Sequence, residues 1–385
     1  MSAPPKGAAD VMMSGLRSPH SSADVDVVLG VDTHLDFHVA VALDTLGRRL
    51  GELRVPTTTK GYERLLSWAE NFGAIRCAGV EGTSSYGAGL ARYLTSVGVA
   101  VAEVERPKRR HLRRNSKSDP IDAEAAARAV LAGETAGTPK SADGRVEMIR
   151  ALRTARRSAV KARGQAANQL QALVLTAPEA LRDRLRWLST RKLVATACRF
   201  RPGAKPKTPE AATRLALRSV ARRPQVLSEE IAKLDVQLDR LVAEAAPQLL
   251  ALPAVGTDHA ATLLIVAGDN PERLSSEASF ASLCGASPVE ASSGKVVRHR
   301  LNRGGNRDAN RALHMICMVR MGMDRRTQEY VARRTAEGKS KREILRCLKR
   351  YVAREVYRVL EVTVKASPWT TAYSGASSGR LSVMS

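Results

Sequence analysis

Four acidic residues in the first third of the chain have the positions expected of a metal site. Asp32 and Glu81 each directly follow an apolar run that reads as a β-strand. Asp119 and Asp122 are three residues apart at a predicted helix start, so both carboxylates lie near one face of the first turn. Mg²⁺ prefers oxygen ligands, and a two-metal site needs several carboxylates to hold ions about 4 Å apart. The four acids are therefore candidate metal ligands.

The same residues also have plain structural interpretations. Asp119 and Pro120 could be an ordinary helix start, with Asp as the N-cap and Pro in the first turn. Asp32 and Glu81 could be solvated strand ends. We interpret the neighbouring His34 and Asp36 as bystanders, because polar residues often follow a strand.

Ser292 and Ser293 are candidate nucleophiles in the last third of the chain. They lie in the segment Cys284 to Lys295, directly before a basic segment, Arg298 to Arg307. A hydroxyl between phosphate-binding side chains could attack a phosphodiester. Taken alone, Ser-Ser-Gly is more typical of a flexible turn.

Asp32 and Glu81 are far apart in the chain, so a sheet must bring the ends of their two strands together. Short β-branched runs predict strands near residues 25–31, 38–43, 49–55, 75–80 and 99–104. The first three follow one another at hairpin distances, whereas helices are predicted at 60–71 and 86–97 before the later strands. This pattern predicts an α/β domain that opens with a meander.

Helices dominate the rest of the predicted structure. An alanine-rich helix should span 119–131, and a long helix 146–175. Leucine and isoleucine between Leu227 and Leu241 recur at four- and three-residue steps, which predicts a coiled coil or helical hairpin with the long helix. Residues 176–224 are basic and Pro-containing, and their pattern assigns no element to them. Leu252 to Gly256 resembles a helix-hairpin-helix turn, although a simple loop explains it equally well.

The composition favours nucleic acid as the partner. Lys and Arg number 62 against 38 Asp and Glu, a formal charge of +24 spread along the chain. No apolar run reaches the roughly 20 residues of a membrane-spanning helix, and the N-terminus lacks the apolar core of a signal peptide. We expect a cytoplasmic, nucleoid-associated protein. Aromatic residues are only 4% of the chain, so phosphate contacts should outweigh base stacking.

Two basic segments are the candidate nucleic-acid contacts, although solvated charge is the simpler interpretation. The candidate side chains are Arg106, Lys108, Arg109, Arg110, Arg113, Arg114, Lys117, Arg298, Arg300, Arg303 and Arg307. The five cysteines, in contrast, show no paired spacing for a zinc site or a disulfide framework.

Four motifs together resemble one protein family. They are Gly30-Val31-Asp32-Thr33, Val80-Glu81-Gly82-Thr83-Ser84-Ser85-Tyr86, Lys117-Ser118-Asp119-Pro120-Ile121-Asp122-Ala123 and Gly285-x-x-Pro288-x-x-x-x-Ser293-Gly294. In order and rough spacing they resemble the DEDD-type insertion-sequence transposases, also called bridge-RNA-guided recombinases. The resemblance covers about residues 27–364. An N-terminal arm and a long segment between the two long helices depart from it.

The resemblance implies a mechanism. It implies an N-terminal ribonuclease-H-like or resolvase-like domain in which Asp32, Glu81, Asp119 and Asp122 bind Mg²⁺. It also implies that Ser293, with Ser292 as the fallback, attacks DNA to form a covalent phosphoserine link. Acids and serine would come from different subunits of a homo-oligomer, a dimer or tetramer, and a structured bridge RNA would pair with donor and target DNA.

The expected organisation has five parts. They are a disordered arm (1–24), a ribonuclease-H-like catalytic domain (25–140), a helical coiled-coil region with a basic Pro-containing insert (141–247), a mainly helical C-terminal transposase domain with the serine (248–366) and a disordered tail (367–385). The fold class is thus α/β plus α. Two alternative functions are a metal-dependent Holliday-junction resolvase or nuclease that uses water as nucleophile, and a catalytically inactive nucleic-acid-binding protein.

Overall fold

The chain forms a sheet unit followed by a mostly helical unit. The computed structural model describes residues 26–104, 118–135, 137–203, 205–270, 274–292 and 299–365. The two compact units are Met1–Lys140 and Ser141–Ser385. The prediction of an α/β part followed by a helical part is confirmed at this level. The predicted arm (1–24) and tail (367–385) lie outside the described residues.

A five-stranded mixed sheet forms the centre of the first unit. Its strands are β1 (Asp26–Thr33), β2 (Phe37–Asp44), β3 (Arg49–Pro56), β4 (Ala74–Glu81) and β5 (Val101–Val104). Their order is β3-β2-β1-β4-β5. Strands β1 to β3 pair antiparallel as the predicted meander, and β4 and β5 continue parallel to β1.

Helices cover both faces of this sheet. They are α1 (Thr59–Glu70), α2 (Ala88–Ser96) and α3 (Asp119–Leu131). On one face, Leu65 of α1 and Leu90 of α2 are buried with alternate residues of the strands. On the other face, Ala123 and Ala127 of α3 pack on Val28 and Val41. Because side chains alternate along a strand, each strand residue points towards one helix layer only.

Two long helices pack antiparallel in the second unit. They are α4 (Arg145–Leu175) and α7 (Pro209–Ala245). Ile149 near the start of α4 packs in one core with Leu241 near the end of α7, whereas Leu170 and Leu217 share a second core at the opposite ends. The predicted pairing is therefore confirmed, and a coiled-coil supercoil stays a prediction.

The segment between these helices, to which the sequence assigned no element, is largely helical. The segment forms α5 (Glu179–Leu185), α6 (Thr190–Cys198) and the first turns of α7. Pro209 lies at the start of α7, where the missing N–H group costs no helix hydrogen bond, and the Thr208 side chain accepts from the N–H of Ala211. The proline therefore begins a helix, and Pro224 is accommodated inside it.

The remaining elements surround one apolar core. They are α8 (Pro247–Leu250), α9 (Thr257–Ala267), α10 (Glu277–Leu283), β6 (Val289–Glu290), β7 (His299–Arg300), α11 (Arg307–Met323), α12 (Arg325–Ala336) and α13 (Lys341–Lys365). Leu263, Phe280, Ile316 and Val356 are buried together with the adjoining ends of α4 and α7. A turn separates α8 from α9 at the predicted position. No helix among the described residues is long and apolar enough to cross a membrane.

Candidate functional site

Strand register places two of the four predicted acids side by side. Val31 of β1 pairs with Val80 of the parallel strand β4, so Asp32 and Glu81 follow at adjacent positions of the same sheet edge. The Thr33 hydroxyl donates to the main-chain carbonyl of Glu81 at 3.0 Å and ties the two strand ends together. Both acids are buried, with 7% of Asp32 and 3% of Glu81 exposed, which contradicts the alternative that they are solvated strand ends.

Two glycines allow α3 to lie over these acids. A Cβ on Gly30 would overlap the backbone of Ala123 and Ala127, and a Cβ on Gly79 would lie 2.8 Å from the carbonyl oxygen of Ala126. Each glycine is two residues before an acid, so it faces the same helix layer as that acid. The glycines therefore bring the start of α3 close to Asp32.

The start of α3 contributes the other two acids. Ser118 is the N-cap, and Asp119 and Asp122 both lie in the first turn. The alternative in which Asp119 is the N-cap was therefore wrong. Acidic side chains are favoured at this end of a helix by the partial positive charge of its free N–H groups. Fold and helix electrostatics together place both carboxylates at this end of the helix.

His34 connects Asp32 with Asp119, so its interpretation as a bystander was wrong. Its Nε2 atom lies 3.1 Å from Oδ2 of Asp32 and 3.5 Å from Oδ1 of Asp119. One ligand atom from each of the three residues lies within 4.8 Å of the others. The His34 ring stacks on Phe37 at 4.7 Å between centroids, and this contact orients it. The sequence did not indicate this contact, because His34 and Asp119 are far apart in the chain. The turn between β1 and β2 directs the His34 side chain towards the start of α3.

The electrostatics of this cluster suit a cation. Burial raises the pKa of Asp32, and the neighbouring Asp122 and Asp119 raise it further, while His34 opposes the shift. Crowded, partly buried carboxylates repel one another, and a divalent cation relieves that repulsion. The donor set of carboxylate oxygens and one imidazole nitrogen therefore fits a divalent metal ion.

The serine segment forms part of a small hairpin in the helical unit. Val289 and Glu290 of β6 pair with Arg300 and His299 of β7. Ser292 follows β6 directly and is exposed. The predicted nucleophile Ser293 lies outside the described residues.

The base of this hairpin is tightly held. The backbones at Gly285 and Gly305 cross so closely that a Cβ on Gly305 would lie 2.9 Å from the carbonyl carbon of Cys284. Asn310 of α11 donates to the carbonyl oxygens of Cys284 at 3.0 Å and Gly285 at 2.8 Å. Lys349 of α13 in turn donates to Oδ1 of Asn310 at 3.0 Å. The hairpin is thus anchored to two helices.

The predicted nucleic-acid contacts divide between described and undescribed residues. Arg300 lies in β7, Arg303 in the following loop and Arg307 at the first position of α11, and all three are exposed. The others lie outside the described residues: Arg106, Lys108, Arg109, Arg110, Arg113, Arg114, Lys117 and Arg298.

Comparison with known proteins matches both units to transposases. Residues 29–177 match the family model of DEDD transposases of the IS110 type. Residues 246–332 match the model of the transposase IS116/IS110/IS902 family. A protein of the insertion element IS110 from Streptomyces coelicolor, described as an uncharacterized 43.6 kDa protein, is 32% identical over 131 residues. That match spans 33% of this chain and 32% of the relative, about a third of its length.

Proposed function

The chain belongs to the IS110 family of transposases, and we propose that it cuts and rejoins the DNA of an insertion sequence at the nucleoid. The observation that carries this proposal is the cluster of Asp32, His34 and Asp119 at one sheet edge, with ligand atoms within 4.8 Å of one another. The family model that matches this unit covers residues 29–177 and so includes all four predicted acids, which lie on β1, β4 and α3.

The proposed metal site consists of Asp32, Glu81, Asp119 and Asp122, as in ribonuclease-H-like resolvases, with His34 as a further candidate ligand. A bound divalent ion, which we propose to be Mg²⁺, would polarise a phosphate and stabilise the charge that develops on its oxygens. The residues of this chain supply the geometry. Asp32 and Glu81 are held by paired strands, and Asp119 and Asp122 by the first turn of α3.

Ser293 is the proposed nucleophile, with Ser292 as the fallback. Its hydroxyl oxygen attacks the phosphorus atom of a DNA phosphodiester and forms a phosphoserine ester as the bond from phosphorus to one sugar oxygen breaks. Overall, the serine proton passes to the leaving sugar oxygen, which departs as a hydroxyl. Attack by a hydroxyl of the second DNA end reverses these steps, releases the serine and joins the strands.

The finer parts of the proposal concern assembly and target choice. We propose a homo-oligomer, a dimer or tetramer, in which acids and serine come from different subunits. A structured bridge RNA would select donor and target DNA by base pairing, so the protein would bind the backbone more than the bases. The excess of basic over acidic residues and the few aromatic residues support this division.

The second candidate function is a metal-dependent resolvase or nuclease in which water attacks the DNA. The buried acids support it equally well, because both reactions need the same metal ligands. The experiment that separates the two is denaturing electrophoresis of the protein after reaction with labelled element-end DNA and its RNA. A covalent protein–DNA adduct supports the serine mechanism, whereas cleavage without an adduct supports attack by water.

A further inference from the structure

A basic cleft lies beside the serine hairpin in the helical unit. Its volume is about 980 Å³. One wall consists of residues 285–288, Ala291 and residues 299–302, and the other is the first half of α13 with Lys339 before it. Ala291 directly precedes Ser292, so anything bound in the cleft lies next to the serine segment.

The α13 wall carries a stripe of arginines. Arg342, Arg346, Arg350 and Arg354 all line the cleft. They are spaced by four residues, which is close to one helical turn, so they lie along one side of the helix at steps of about 6 Å. Sequence analysis did not single out this spacing.

The charge balance of the cleft favours a polyanion. Its lining contains seven Lys or Arg residues and one acid, Glu343. Glu343 accepts hydrogen bonds from the N–H and hydroxyl groups of Ser340. Arg350 and Arg354 pair with Glu277 of α10. For Lys339, Arg342 and Arg346 the described residues offer no ion-pair partner within 4 Å. These cations are therefore available to phosphate groups.

In a second cleft of the same unit, arginines form ion pairs between helices. This cleft, of about 550 Å³, lies where α4 meets α9 and α11. Its Arg153 pairs with Asp258 at 3.1 Å, and its Arg157 pairs with Asp308 at 2.5 Å. These arginines join helices, whereas Arg342 and Arg346 of α13 form no ion pair with another helix among the described residues.

The cleft also offers a surface for an unpaired base. Tyr351 lines it and is 47% exposed. Tyr330 packs against its ring in an edge contact at 5.5 Å and supports it from one side. Stacking of a base on a tyrosine does not depend on sequence, which suits a site that holds a strand without reading it.

We infer that this cleft binds the phosphodiester backbone of the DNA strand on which the serine acts, with Arg342, Arg346 and Lys339 as phosphate ligands and Tyr351 as a base platform. The inference rests on the proposed function for the identity of the strand. DNA is favoured over RNA because the opposite wall is the hairpin that carries Ser292. The stripe positions the strand and takes no part in bond breaking.

The test compares two double variants of the full-length protein. Arg342→Ala with Arg346→Ala removes two cleft cations, and alanine keeps the helix stable. Arg325→Ala with Arg326→Ala removes the same charge from α12, outside the cleft. Binding of labelled single-stranded element-end DNA is measured between 50 and 200 mM salt. This range includes the salt concentration at which the Debye length is about 10 Å. Circular dichroism checks that the variants are folded.

We expect the cleft variant to lose about tenfold in DNA affinity, and the slope of log K against log salt to fall by about 1.4, as for two lost contacts to a single strand. The α12 variant should change the slope by much less. Arg342→Lys with Arg346→Lys should restore most of the slope because the charge remains. Equal losses in the cleft and α12 variants would overturn the inference, and so would loss of RNA binding with intact DNA binding.

Failure of this inference is separable from failure of the proposed function. If the wild type forms a covalent DNA adduct and the cleft variant binds and reacts with DNA normally, the cleft assignment is wrong and the serine mechanism stands. If no adduct forms although the cleft variant loses DNA binding, the cleft assignment stands and the serine mechanism is wrong.

Discussion

The acid cluster and the serine hairpin differ in burial and in how firmly the surrounding structure holds them. Asp32 and Glu81 are almost fully buried at the edge of a sheet that strands and α3 hold on both sides. Ser292 is exposed beside a hairpin of two-residue strands. Metal ligands, the role proposed for these acids, must be held in place before the ion binds, because their mutual repulsion would otherwise separate them. A nucleophile, the role proposed for the serine pair, must reach a large substrate, so we expect it on an accessible segment that is anchored where it leaves the fold.

The sharpest test of the hairpin side of this comparison is Ser293→Ala. We expect complete loss of the covalent protein–DNA adduct with unchanged binding of the bridge RNA, because only the attacking hydroxyl is removed. Adduct formation is measured by denaturing electrophoresis and RNA binding by filter retention. Ser282→Ala is the matched control: this exposed serine lies on α10 and does not line the cleft. Adduct lost in Ser292→Ala and kept in Ser293→Ala would transfer the role to Ser292.

On the sheet side, Asp32→Asn should reduce strand cleavage by about 10³-fold and weaken divalent metal binding, because the neutral amide is a poorer ligand. Cleavage rates and calorimetric titration with metal provide the two readouts. The control is Asp44→Asn, which alters another buried acid of the same sheet. Asp44 accepts from the N–H groups of Leu46 and Arg48, so its loss should lower stability and leave metal affinity unchanged. Normal excision by both Asp32→Asn and Ser293→Ala would contradict the whole mechanism.

The close approach of α3 can be tested with Gly30→Ala. The added methyl group overlaps the backbone of α3, so we expect a loss of local stability of about 1–3 kcal/mol, with weaker metal binding as the helix is displaced. Amide hydrogen exchange of α3 measures the opening free energy. Gly164→Ala, in open space on α4, should instead be neutral or stabilise its helix by up to about 1 kcal/mol. Unchanged exchange in α3 of the Gly30 variant would show that the contact is dispensable.

His34→Ala should have the smallest effect of the series. We expect Mn²⁺ affinity to fall by about tenfold and Mg²⁺ affinity to fall less, because an imidazole nitrogen is a better ligand for transition metals than for Mg²⁺. Titration with each ion gives the ratio. Asp36→Ala, an exposed neighbour, is the control. Equal losses for the two ions would indicate that His34 only orients Asp32 and Asp119.

Local sequence pattern predicted the bounds of individual helices and strands well. The predicted helix 119–131 has the bounds of α3, and the predicted strands coincide with β1 to β5 to within a few residues. Local pattern did not assign the Pro-containing segment 176–224 to any element, although it forms α5, α6 and the first turns of α7. Its Pro209 starts a helix, since a proline in the first turn loses no hydrogen bond.

Sequence by itself determined which acids could meet, because Asp32 and Glu81 end parallel strands and Asp119 and Asp122 share one helical turn. Only the tertiary structure decided that His34 contacts Asp32 and Asp119, since a turn directs its ring towards α3. It also decided that the arginines of α13 face the serine hairpin. The physical reason is the same in both cases: spacing along a chain specifies the face of an element, but packing decides what that face meets.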